Sequence, residues 1–175
     1  MKKIALVGAT LALTVMCGSA MAANSLVAGA LGVNVAFTDT GVTPSTTGST
    51  GSFIVSGKYF FSRDMAVIAG AGLGINGGDA KGNDIGIVGG IRKYLKTDDF
   101  APFVGARLKY SSTRDANLTA IGAVAEAGAE YFISRQFSFE GRVGLGYESV
   151  KDSTANTTAT RIGTESLGLS ANFYF

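Results

Sequence analysis

Residues 137–147 read FSFEGRVGLGY. Phe137, Phe139, Val143, Leu145 and Tyr147 fall on one parity, and Ser138, Glu140, Arg142, Gly144 and Gly146 on the other. A β-strand sends successive side chains to opposite faces. The run therefore predicts a strand with one apolar face and one face that is polar or small. It is as long as a strand needs to be to cross a bilayer, about 9–11 residues. The charges at Glu140 and Arg142 sit in its middle, away from the ends where solvent would reach them.

The same alternation extends in both directions along the chain. Toward the C-terminus, Leu167, Leu169, Ala171, Phe173 and Phe175 alternate with Ser166, Gly168, Ser170, Asn172 and Tyr174. Toward the N-terminus, strands are predicted over 118–133, 100–110, 84–95, 65–75, 53–61 and 26–37, which makes eight. In 118–133 the apolar face runs Ile121, Ala123, Ala125, Ala127, Ala129, Tyr131, Ile133, with Glu126 and Glu130 opposite. In 100–110 it runs Phe100, Val104, Ala106, Leu108, Tyr110, with Arg107 and Lys109 opposite. Strand 84–95 has Asp84 and Arg92 on its polar face, and strand 53–61 has Lys58. Tight turns are predicted near Ser62-Arg63-Asp64, residues 96–99 and Ser134-Arg135-Gln136. They alternate with polar loops over 38–51, 76–83, 111–117 and 149–160. Short turns at one end and longer loops at the other are the pattern of transmembrane barrels. The predicted fold is all-β: an eight-stranded antiparallel up-and-down transmembrane β-barrel.

The first 22 residues read differently. Lys2 and Lys3 precede an apolar stretch that ends in Ala20-Met21-Ala22, the three parts of a cleaved secretory signal. The domain division is thus a signal peptide over 1–22 and a barrel over 23–175. The apolar stretch is short for a retained helical anchor, which takes about 20 residues. Cys17 is the only cysteine, and the bulky Met16 before it argues against a lipidation site. The whole chain has 15 basic and 13 acidic residues. Without Lys2 and Lys3 the balance is 13 to 13, so no basic excess supports nucleic-acid binding. A soluble barrel of this sequence would bury its charges and expose its Leu, Val and Phe, which favours the membrane solution.

From Asn24 to the ending Leu167-Gly-Leu-Ser-Ala-Asn-Phe-Tyr-Phe175 the chain resembles the small outer-membrane β-barrel proteins of Gram-negative bacteria. That is the broad superfamily of opacity proteins and OmpA-like transmembrane domains. The resemblance implies an outer-membrane location with both termini periplasmic. It also implies a terminal-aromatic assembly signal, here Phe173 and Phe175, read by the barrel-assembly machinery after periplasmic chaperones have delivered the chain. Outer-membrane lipid and lipopolysaccharide are the implied surroundings, and a monomer the expected state. The porin label often attached to this superfamily brings in a second reading, a small passive channel for ions or small, even apolar, solutes.

Eight strands enclose an interior just wide enough for side chains to fill. Parity directs Lys58, Arg92, Arg107, Lys109 and Arg142 inward, with Asp84, Glu126, Glu130, Glu140 and Glu148. Buried charges need partners, so a lumenal network of bidentate Arg–carboxylate pairs is expected. Phe60, Tyr94, Phe103, Phe132 and Tyr174 have inward parity near the tight turns and predict an aromatic layer narrowing that mouth. Glu165 has outward parity in the last strand. The chain has no histidine, which removes a Ser-His-acid triad and a histidine metal site. Gly72-Leu-Gly74-Ile-Asn-Gly77 matches GxGxxG, but no helix follows it, as a dinucleotide site requires. No catalytic, cofactor or metal residues are assigned. The expected function is a non-enzymatic barrel with a charge-plugged lumen that contributes to envelope structure or surface interaction.

Overall fold

The structure is a computed structural model, and it describes residues 24, 26–38, 53–76, 82–113 and 117–175. The predicted signal segment and the tips of three predicted loops lie outside the described residues. Eight strands follow in chain order: β1 Leu31–Thr38, β2 Phe53–Phe60, β3 Met65–Asn76, β4 Gly82–Tyr94, β5 Phe100–Thr113, β6 Leu118–Ser134, β7 Phe137–Asp152 and β8 Thr157–Tyr174. Each pairs antiparallel with the next, and β1 pairs with β8 to close the barrel. Closure leaves no unpaired edge along the zipped part of the wall, and that is the condition for placing a sheet in lipid.

The polarity is inside-out. Leu108, Leu145, Ile91, Val143, Ile121 and Ile87 are all at least half exposed on the outer face. Lys58, Arg92, Glu126, Glu130 and Glu140 are buried in the lumen. One end, the short-turn end, carries connections of two to five residues and both ends of the described chain; the other, the loop end, carries connections of four or five residues and the longer stretch 39–52. Aromatic side chains gather around the short-turn end. Outside are Tyr59, Phe61, Phe100, Tyr131 and Phe173. Inside, Phe60, Tyr94, Phe103, Phe132 and Tyr174 form the predicted layer, with neighbouring rings 5.4–6.1 Å apart.

Three expectations are corrected. The first strand begins at Leu31, five residues later than the alternation predicts, because Gly29 turns the chain with φ +89° and Leu26 points into the core. The predicted loop over 149–160 is mostly strand: β7 runs to Asp152, four residues turn, and β8 starts at Thr157. Its threonines are β-branched and suit an extended backbone as well as a loop. The third concerns the pairing of Glu165, whose side chain lies outside the described residues. The β7–β8 pairing shifts between Arg142↔Gly168 and Gly144↔Glu165, so β8 carries an extra residue there. A bulge of this kind flips the parity of everything beyond it. Leu169 is outward below it and Ile162 outward above it, while Glu165 stands opposite the inward Gly144. Ala171 keeps its outward register but is buried between its larger neighbours Phe139 and Val35.

Candidate functional site: the lumenal ion-pair lattice

The long strands β6 and β7 project Glu126, Glu130 and Glu140 into the barrel, where the cations of four other positions converge on them. Lys58 Nζ lies 2.9 Å from Glu130 and 3.1 Å from Glu140. Arg92 places Nη2 2.9 Å from Glu126 and Nη1 2.6 Å from Glu140. Arg142 Nη1 reaches Glu140 at 2.9 Å, and its Nε is 3.8 Å from Glu126. Arg107 Nε is 2.7 Å from Glu126 Oε2, an ion pair whose N–H is not aimed for a hydrogen bond. In place of bidentate Arg–carboxylate pairs the network shares its carboxylates between cations. Arg92 donates from both Nε and Nη2 to the single oxygen Glu126 Oε1 and from Nη1 to Glu140. Where several cations approach from different strands, each carboxylate is bridged rather than clamped.

Two tyrosines belong to the lattice as much as to the aromatic layer. Tyr94 donates to Glu130 Oε2 at 2.6 Å, and Tyr174 donates to Glu130 Oε1. Lys58 Nζ donates to both phenol oxygens, at 3.1 and 3.0 Å. Ser138 adds a third hydroxyl on Glu130. Glu130 is fully buried, and its two oxygens receive an ammonium and three hydroxyls, which offsets the desolvation a carboxylate suffers in such a place. The Arg92 guanidinium also lies over the Phe103 ring, 3.7 Å from its centroid, in cation–π geometry.

On the β1, β2 and β8 side the lumen holds uncharged polar groups. Asn34 donates to Ser170 at 2.8 Å and to Asn172 at 2.6 Å; Ser56 donates to Asn34 at 3.3 Å; Asn172 donates to Ser138 at 3.1 Å. This ladder joins the short strands to Glu130 through Ser138. Between it and the arginines is a cavity of about 20 Å³ lined by Asn34, Ser56, Ile68, Val88, Arg92, Arg107 and Arg142. That volume admits about one water molecule.

Of the ten charged positions predicted inward, Lys58, Arg92, Arg107, Glu126, Glu130, Glu140 and Arg142 meet in the lattice. Lys109 is buried beside them. Glu148 is half-buried nearer the loop end, opposite Gly122 and Arg161. Asp84 is in register with Gly74 and Thr113, and its side chain lies outside the described residues. Parity did not bring out the buried apolar Ile68, Val88 and Val124, nor the polar ladder. The signal for the ladder was present as Asn34, Ser56, Ser138, Ser170 and Asn172 on inward parity.

Several lumenal glycines make room for this filling. A Cβ on Gly168 would stand 2.9 Å from Arg142 Nε, and one on Gly32 would stand 2.6 Å from Tyr174 Cε1. Phe173 packs against Phe137 with centroids 4.8 Å apart, and the Phe175 N–H donates to Leu31 O at 2.9 Å, so the chain's end is zipped into the β1 seam.

Among solved structures, the fold is similar to the outer membrane protein OprG from Pseudomonas aeruginosa, at 14% sequence identity and TM-score 0.54, over 85% of this chain and 96% of that one. It is similar in the same degree to the N-terminal β-barrel domain of Pseudomonas aeruginosa OprF, at 14% identity and TM-score 0.53, over 85% and 98%. These likenesses are of fold: a closed eight-stranded barrel of the outer-membrane kind. No family model matches the chain, and no curated protein matches it in sequence.

Proposed function

We propose that residues 23–175, freed of a signal peptide over 1–22, span the outer membrane as a non-enzymatic barrel that contributes to envelope structure or surface interaction. Both termini lie on the periplasmic side in this reading, and the loop end faces outward. The apolar outer face meets outer-membrane lipid and lipopolysaccharide, and Phe173 and Phe175 serve the assembly machinery as its recognition signal. The monomer is the functional unit.

The observation that carries this reading is the lattice around Glu126, Glu130 and Glu140. A solute crossing the barrel would have to part ion pairs of 2.6–3.1 Å and then the aromatic layer beyond them. Removing one partner from a buried pair costs about 3–5 kcal/mol, so a transient opening of several pairs is rare. The plug also fills the lumen with side-chain bonds where a hydrated core would otherwise stand.

The test is electrical. Residues 23–175 are refolded into lipid, with folding verified by heat-dependent gel mobility, and single-channel currents are recorded in planar bilayers. Folded protein without reproducible channels is the expected result. Discrete, selective channels would overturn the plugged-lumen reading in favour of a small passive channel for ions or small solutes.

A further inference from the structure

The residues that precede β1 do not lead straight into it. Ala30 still pairs with β2, accepting from Phe60 N–H at 2.9 Å, and Gly29 N–H donates to Phe60 O at 2.7 Å. At Gly29 the backbone then turns with φ +89°, a conformation that favours glycine even though a Cβ there would meet nothing within 4 Å. The chain doubles back, with Ala30 N–H donating to Val27 O at 3.2 Å. Leu26 drops into the mouth of the barrel and is fully buried among Phe60, Tyr94, Phe103, Phe132 and Tyr174. Asn24 finishes the crossing. Its side-chain amide donates to Thr97 O in the β4–β5 turn at 2.9 Å, while its Oδ1 accepts from Leu26 N–H at 3.3 Å. β1 and the β4–β5 turn lie on opposite sides of an eight-stranded ring, so the segment spans the opening.

Chain ends near a domain boundary fray unless something ties them down. Here one apolar anchor and bonds at both ends hold Asn24 and residues 26–30 across the barrel mouth. We propose that Asn24 and residues 26–30 are a plug for the short-turn end: a strap with Leu26 as its stopper and Gly29 as its hinge, which closes the lumen independently of the ion-pair lattice. The strap is held by a few hydrogen bonds and one leucine, whereas the strands beneath it share continuous ladders. It belongs to the low-stability end of the molecule and opens without the barrel opening. Released, it uncovers the aromatic cup from that side as far as the Lys58–Glu130 pair.

The experiment uses residues 23–175, which contain no cysteine of their own. Ala66, fully buried in the same cluster as Leu26, is replaced by cysteine as a probe (Ala66→Cys). Folded protein is treated in micelles with a small methanethiosulfonate reagent, and labelling is followed by mass spectrometry. With the strap intact, labelling is slow. Adding Leu26→Ala, Asn24→Ala or deletion of residues 23–28 accelerates it at least about tenfold, because access follows local opening. Unchanged labelling in strap variants that still show the heat-dependent gel shift of a folded barrel would overturn the proposal. So would fast labelling with the strap intact. If every strap variant fails to fold, hydrogen exchange on the unaltered protein decides. The Gly29 amide is expected to exchange well before the ladder amides of β6 and β7, and equal protection would rule out independent opening.

Discussion

The two sides of the barrel are built to different plans. β6, β7 and β8 are 17, 16 and 18 residues long; β1 and β2 are 8 each. The long side supplies all three carboxylates of the lattice, with Arg142 and Tyr174. The short side supplies Lys58, the ring of Phe60 in the aromatic layer, and otherwise small groups: Asn34, Ser56 and Gly32. Long charged side chains fit inside an eight-stranded barrel only if the opposite wall gives up volume. The difference between the sides is therefore how one narrow lumen holds seven interlocked ions. It also divides the energetics, since ion pairs dominate on one side and room and neutral hydrogen bonds on the other.

The comparison breaks most easily at Glu130. Glu130→Ala strands Tyr94, Tyr174 and Ser138 without their acceptor and leaves Lys58 with Glu140 as its carboxylate partner. The expected loss is about 3–5 kcal/mol, read from urea unfolding in lipid vesicles. On the short side, Ser56→Ala removes one buried hydroxyl that donates to Asn34 and should cost about 0.5–1.5 kcal/mol. Equal losses at the two positions would erase the distinction between the walls.

A smaller effect tests the room that the short side provides. In Gly32→Ala the new Cβ would stand 2.6 Å from the ring of Tyr174, which is itself held by Glu130 and Lys58 and cannot swing away. Overpacking of this kind costs about 1–3 kcal/mol. Gly57→Ala, on the outward face of the neighbouring strand, has no atom closer than 3.8 Å to its Cβ and should stay within about 0.5 kcal/mol of the parent. The same unfolding series reads both. A tolerated Gly32→Ala would mean that Tyr174 is not fixed by the lattice.

Much of this was legible in the sequence because the period of a strand is two and its two faces here differ in kind. Strand number, the inward charges and the aromatic layer all follow from parity around Phe139, Glu140 and Arg142 or Phe132 and Tyr131. Parity fails wherever the backbone breaks step. The extra residue in β8 puts Glu165 opposite Gly144, and the turn at Gly29 takes Val27 out of the strand that its shared parity with Leu31 and Val33 predicts. The sharing of carboxylates was also hidden. Which cation reaches which oxygen depends on register between strands far apart in sequence, such as β4 with β6, and on reach across the lumen. One residue's neighbours along the chain say nothing of either.

The smallest effect belongs outside both walls, in the turn that joins β2 to β3 on the short side. The Ser62 hydroxyl donates to Asp64 Oδ1 at 2.7 Å, and this bond, helped by Lys93 at 3.5 Å, holds the Asp64 carboxyl below its ordinary value. A carboxyl whose folded value is depressed adds stability above its unfolded value and loses it as pH falls through the folded one. The contribution is therefore complete at neutral pH and disappears only in acid, beginning near the ordinary aspartate value of about 3.9. Ser62→Ala should raise the Asp64 titration toward that value, observed by NMR on the side-chain carboxyl, with stability at neutral pH almost unchanged because the group is solvent-exposed. The lattice carboxylates should not respond to this substitution at all. A shift in the acid stability of the whole barrel, rather than in Asp64 alone, would mean that the turn and the lumen are coupled and that the short side is more than a volume-giving partner.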